Sequence, residues 1–128
     1  MKAAELMIGD WLRYSPKSIS LNNNYGGQYR VEGVSQDTIS LGAKNYRFVV
    51  SDKEIDSIPL TSEILEKNGW WFDVEDTWWH NEVNFTIEKW NGRFQCYDIN
   101  QIKLNSVHEL QHALRLCGLD ELADNFKI

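Results

Sequence analysis

Asn91-Gly92 stands between two runs that alternate apolar and polar residues, Val83 to Trp90 and Arg93 to Ile99. An Asn-Gly pair in that setting closes a two-residue hairpin, because both residues accept the positive φ of a type I′ turn. The chain therefore contains antiparallel sheet. The turn also sets the register, pairing Trp90 with Arg93, Lys89 with Phe94 and Ile87 with Cys96. On that register Val83, Phe85, Ile87, Phe94 and Cys96 share one face, read as core. Trp90 and Arg93 share the other, where a guanidinium can stack on an indole.

The first sixty residues repeat the theme in shorter pieces. Trp11-Leu12-Arg13-Tyr14 alternates as a strand does, and Asn22 to Gly27 is a polar loop. Tyr29 to Val34 and Thr38 to Leu41 flank Gln36-Asp37, and Tyr46 to Val50 and Ile55 to Ile58 supply the last strands. Short strands with turn residues between them point to a small SH3-like barrel or a curled antiparallel sheet. That class hosts peptide binders, nucleic-acid binders and inert spacers, so it names no function. Tyr14, Tyr25, Tyr29 and Tyr46 could line a groove there, or pack on strand faces with their hydroxyls in water.

A helix follows. Thr61 is a good N-cap, Leu60 and Leu65 fit a hydrophobic staple, and Asn68-Gly69 is a helix stop. Trp70 to Glu75 and Trp78 to Glu82 then bracket Asp76-Thr77 as a further hairpin. The expected architecture is α+β: residues 1–60 as the β-barrel-like module, residues 61–128 as a helix–antiparallel sheet–helix module. The C-terminal helix covers the sheet, and the two modules could also close as one compact unit.

That last helix carries the string His108-Glu109-Leu110-Gln111-His112, which reads as H-E-x-x-H. On a helix the two imidazoles fall one turn apart, ready for zinc, with Glu109 as a catalytic base. The surroundings offer a plainer account. Val107, Leu110, Leu114 and Cys117 mark one apolar face, and at about 100° per residue both histidines fall opposite it, on a solvated side. Ser106-Val107-His108-Glu109 fits the S-x-x-E capping box, and Gly118 is the stop. Catalytic zinc wants three protein ligands. The extended pattern would need glycine at position 115 and a ligand at 118, where this chain has Arg115 and Gly118.

Composition narrows the remaining classes. Thirteen basic and nineteen acidic side chains give −6, which argues against general affinity for nucleic acid or an anionic membrane. No apolar run approaches a membrane span, and Met1 to Leu6 does not read as a signal peptide. Cys96 and Cys117 have no C-x-x-C spacing and read as buried thiols of a reducing cytoplasm. Five of the six tryptophans lie between Trp70 and Trp90. A cluster that dense is either the core of a small sheet or a docking surface.

Three stretches together resemble a known family. Ile8-Gly9-Asp10-Trp11-Leu12, Ile58-Pro59-Leu60-Thr61-Ser62-Glu63-Ile64-Leu65-Glu66-Lys67-Asn68-Gly69-Trp70 and Val107-His108-Glu109-Leu110-Gln111 occur in order. They are similar to motifs of small uncharacterised proteins common in phages and prophages of Bacteroidales gut bacteria. The resemblance implies a β-rich N-terminal module, a linking helix and a C-terminal helix on a sheet. In that family the position of Glu109 is glutamine and that of His112 asparagine, which implies that neither is essential.

These readings converge on a non-enzymatic, cytoplasmic accessory protein of phage or prophage origin in a bacterial host. It is expected to need no cofactor and to bind a macromolecule, most simply a protein, through exposed aromatics. The expected surface comprises Trp78, Trp79, Trp90, Arg93, Tyr25 and Tyr46. The first alternative is a minimal zinc hydrolase with His108 and His112 as ligands and Glu109 as base. The second is an SH3-like module that reads nucleic acid.

Overall fold

A computed structural model describes residues 1–16, 26–43, 46–96 and 102–128, without the side chains of residues 43 and 46. The architecture is α+β, with two antiparallel sheets and three α-helices among the described residues. The chain divides into two compact units, Met1–Ile58 and Pro59–Ile128.

In the first unit β1 (Trp11–Tyr14), β2 (Gly27–Val34), β3 (Thr38–Ala43), β4 (Tyr46–Ser51) and β5 (Ile55–Asp56) form one sheet in the order β4-β3-β2-β1-β5. A 3₁₀ turn, Asp52–Glu54, joins β4 to β5. Period-two alternation explains the burial: Leu12, Val31, Ile39, Leu41, Val50 and Ile55 meet inside, with Ala3 and Leu6 closing the cluster. The register slips at Val31/Gly33, so β2 is bulged. Asp10 is fully buried and serves the backbone: its Oδ2 accepts from Met7 N at 2.8 Å, and its carbonyl accepts from Val31 N.

In the second unit the expected helix forms as α1 (Ser62–Lys67). Thr61 Oγ1 accepts from Ile64 N at 3.3 Å, and the stapling pair Leu60 and Leu65 is buried. Gly69 takes φ +95°. A Cβ there would also meet His80 Nε2 at 2.6 Å, so glycine is required twice over. A four-stranded meander follows in the order β6 (Trp70–Phe72), β7 (Thr77–His80), β8 (Ile87–Trp90) and β9 (Arg93–Cys96).

The β8–β9 hairpin has the register that Asn91-Gly92 implies, with φ +50° and +76° at its turn. Its first strand is shorter than the alternation suggests, beginning at Ile87. Phe85, just upstream, is buried, and its carbonyl accepts from Trp70 Nε1 at 3.2 Å. The first hairpin departs from expectation. Its turn is Asp73–Asp76, with Asp76 at φ +59°, and Phe72 pairs with Trp78.

The C-terminal segment is α2 (Val107–Leu116) and α3 (Asp120–Asp124). Leu119 N bonds Leu114 O and Gly118 N bonds Arg115 O, with Gly118 at φ +75°, which is a Schellman stop. Val107, Leu110, Ala113 and Leu114 are buried, as the spacing requires. Cys117 is not: the helix ends before it, and as the capping residue it is exposed. Gln111, fully buried, donates from Nε2 to Ala123 O at 3.0 Å and ties α2 to α3.

Candidate binding face

The pleat of the second sheet assigns its tryptophans to opposite sides. Trp70, Phe72, Trp78, His80, Ile87, Phe94 and Cys96 share one face through the pairs Trp70↔His80, Phe72↔Trp78, Trp78↔Ile87 and Ile87↔Cys96. Trp78, expected on a binding surface, belongs to this inner face. It is 4 % exposed, and its ring lies 5.3 Å from Phe72 and 6.5 Å from Phe94.

The outer face carries Trp71, Trp79 and Trp90, exposed by 47 %, 41 % and 62 %. Trp71 and Trp79 are direct cross-strand partners at the β6 edge. Trp90 pairs with Arg93 at the opposite end of the face. Thr77, Glu88, Gln95 and Lys103 form the row between them, because Thr77↔Glu88, Glu88↔Gln95 and Gln95↔Lys103 are paired. Trp71 was missed by sequence reasoning. The signal that would have found it is the length of the acidic turn, which sets the pairing of its strand.

Trp90, Asn91, Arg93, Phe94, Gln95 and Lys103 line an open cleft of about 350 Å³. Among the described residues the cation–π pairs are Arg30 over Trp11, 4.8 Å from the ring centroid, and Lys89 over Phe94, 5.8 Å. Arg93 shares the face of Trp90 without stacking on it, since its side chain makes no ring contact among the described residues.

The tyrosines of the first unit are distributed differently. Tyr14 and Tyr29 are half-buried and pack against the core with Phe48, their ring centroids 5.7 and 5.0 Å from it. Tyr14 has its phenol pushed above the ordinary value by burial, then by the negative charge of Glu54 and the hydrogen bond to it. Tyr25 and the side chain of Tyr46 lie outside the described residues.

The H-E-x-x-H segment forms a cap rather than a solvated row. The rings of His108 and His112 are 5.6 Å apart, as an i, i+4 pair should be. His108 is only 8 % exposed, against the expectation from helical spacing. Helical spacing does not register the packing of other segments; just before α2, Pro59 bridges Ser106 and Leu60 N bonds Asn105 O. Ser106 Oγ accepts from Glu109 N at 3.4 Å, donates to Glu109 Oε1 at 2.7 Å and lies 3.1 Å from His108 Nδ1. With its proton committed to Glu109, the hydroxyl has an oxygen lone pair left for His108 Nδ1.

Ser106 itself is 2 % exposed, too enclosed to act as a nucleophile. Among the described residues, no group of three or more His, Cys, Asp and Glu side chains is placed to hold a metal ion. Among the same residues, no helix is long and apolar enough to cross a membrane. Compared with known proteins, the chain matches no family model, no curated protein and no solved structure.

Proposed function

We propose that this chain is a non-enzymatic binding protein that docks a protein partner on the outer face of its second sheet. The observation that carries the reading is the Trp71–Trp79 pair, two large indoles side by side and turned outward at a sheet edge. Clustered exposed aromatics mark interaction sites, and tryptophan is the residue most enriched among binding hot spots. The motif resemblance supports a phage or prophage setting inside a bacterial host cell. The net charge of −6 argues for protein over nucleic acid as the partner.

A zinc hydrolase would need Glu109 free to take a proton from water. Its carboxylate is instead engaged by the Ser106 hydroxyl in a helix cap. The test is affinity capture from host cells with wild-type chain and with Trp71→Ala/Trp79→Ala. Loss of a specific set of captured proteins in the variant is expected. An identical set with both baits overturns the reading.

A further inference from the structure

Two asparagines of this chain precede glycine, Asn68-Gly69 and Asn91-Gly92. The dipeptide carries a chemistry of its own. The glycine backbone nitrogen, once it loses its proton, attacks the asparagine side-chain carbonyl carbon, and glycine has no side chain to obstruct the approach. Asparagine counts among the thermolabile residues. The fold treats the two pairs in opposite ways.

At Asn68-Gly69 every participant is held. The side-chain amide is bonded to Ile64 O and to both backbone groups of Lys127. The attacking nitrogen, Gly69 N, donates to Glu66 O at 3.2 Å. His80 blocks rotation of the peptide between them, since its Nε2 lies 2.8 Å from Asn68 O and 2.6 Å from where a Cβ on Gly69 would stand. At Asn91-Gly92 none of these restraints exists among the described residues. Both residues are exposed, and neither the Asn91 amide nor the Gly92 N–H has a hydrogen-bond partner. Beyond the chain neighbours, no atom lies within 4 Å of a Cβ placed on Gly92.

We infer that Asn91 is a self-modification site, where the folded chain converts asparagine to aspartate and isoaspartate with water as the co-reactant. Gly92 N bonds to Asn91 Cγ, the Cγ–Nδ2 bond breaks, and ammonia leaves with the proton that Gly92 N gave up. Water then opens the cyclic imide. Cleavage at Cγ gives aspartate, and cleavage at the backbone carbonyl gives isoaspartate. Aspartate tolerates the φ of +50° at position 91 and adds a carboxylate to a cleft whose charged lining residues are Arg93 and Lys103. Isoaspartate adds one backbone atom to a two-residue turn whose length sets the register, so Trp90 and Arg93 lose their pairing. The inference does not depend on the docking at Trp71 and Trp79.

The test is incubation of the full chain at mildly alkaline pH, folded and in guanidinium chloride, with peptide mapping by mass spectrometry at both asparagines. In the folded chain Asn68 reacts only from opened states, so Asn91 should convert at least about tenfold faster. In denaturant only the shared dipeptide remains, and the two rates should become comparable. Equal rates in the folded chain overturn the inference. So does an Asn91 that stays intact in the folded chain while the denatured chain reacts. A preference for Asn91 that persists unchanged in denaturant also overturns it, because flanking residues rather than the fold would then set the rate.

Discussion

The side-chain amide of Asn68 pairs with both backbone groups of Lys127, Nδ2 donating to its carbonyl at 2.7 Å and Oδ1 accepting from its N–H at 2.8 Å. One side chain at the end of α1 thus imitates a strand partner for the last turn of the chain. The same Nδ2 also donates to Ile64 O at 2.8 Å, and the Asn68 carbonyl lies 2.8 Å from His80 Nε2. Phe126, beside Lys127, is buried with its ring 6.5 Å from that of Trp70. Asn68 therefore ties the helix stop, the C-terminal segment and the sheet together.

Asn68→Ala leaves three backbone groups without their partner in a largely buried setting and should cost about 2–4 kcal/mol in chemical denaturation. Asn68→Asp should be at least as harmful at neutral pH, because it sets a carboxylate oxygen against the carbonyls of Ile64 and Lys127. A loss below about 0.5 kcal/mol for both would show that the pairing with Lys127 is not formed in solution.

Trp70 and Trp78 are both buried inward residues with opposite hydrogen-bonding status. Trp70 Nε1 donates to Phe85 O, whereas Trp78 Nε1 is buried without a partner among the described residues. Phenylalanine removes the N–H from either. Trp70→Phe should therefore destabilise by about 1–2 kcal/mol more than Trp78→Phe, since only the former orphans a buried carbonyl. Paired equilibrium unfolding curves decide this, and equal losses would refute the assignment.

The capping role of Ser106 predicts that Ser106→Ala costs about 1–2 kcal/mol, while His112→Ala costs less than about 1 kcal/mol. Elemental mass spectrometry on protein purified without chelator should find zinc far below one atom per chain. Stoichiometric zinc lost on His112→Ala would favour the hydrolase reading over the cap.

Tyr14 gives a pH signature. Its folded-state pKa is raised above 10.0, so the native chain holds the phenolic proton where the unfolded chain has released it. The associated stability is fully present below about pH 10 and is lost as pH rises through the folded value. Denaturation midpoints should fall across that alkaline window in wild type and less steeply in Tyr14→Phe. Parallel slopes would show that Glu54 and burial do not act on Tyr14 as described.

The features legible in the sequence are those decided within a few residues. The Asn91-Gly92 turn, the Thr61 cap, the Asn68-Gly69 stop and the Ser106/Glu109 cap each depend on groups at most four positions apart. Their φ requirements and donor–acceptor pairs are local chemistry, so they form close to the reading, with one difference: the Glu109 carboxylate accepts from the Ser106 hydroxyl rather than from the Ser106 amide. The antiparallel sheet of the first unit follows from its short alternating strands.

What only the tertiary structure decided is which way side chains face once distant segments pair. Trp71 and Trp79 point outward and Trp78 inward because the acidic turn spans Asp73–Asp76 and pairs Phe72 with Trp78. A strand alternates its faces with period two, so any one-residue slip would exchange them, and neither run of tryptophans specifies the register alone. His108 is buried although helical periodicity sets it opposite the apolar face, and residues 59–60 pair with 105–106 from more than forty positions away, which no helical periodicity encodes. Local hydrogen bonding determined the turns and caps of this protein, and long-range strand pairing determined which of its aromatics are exposed.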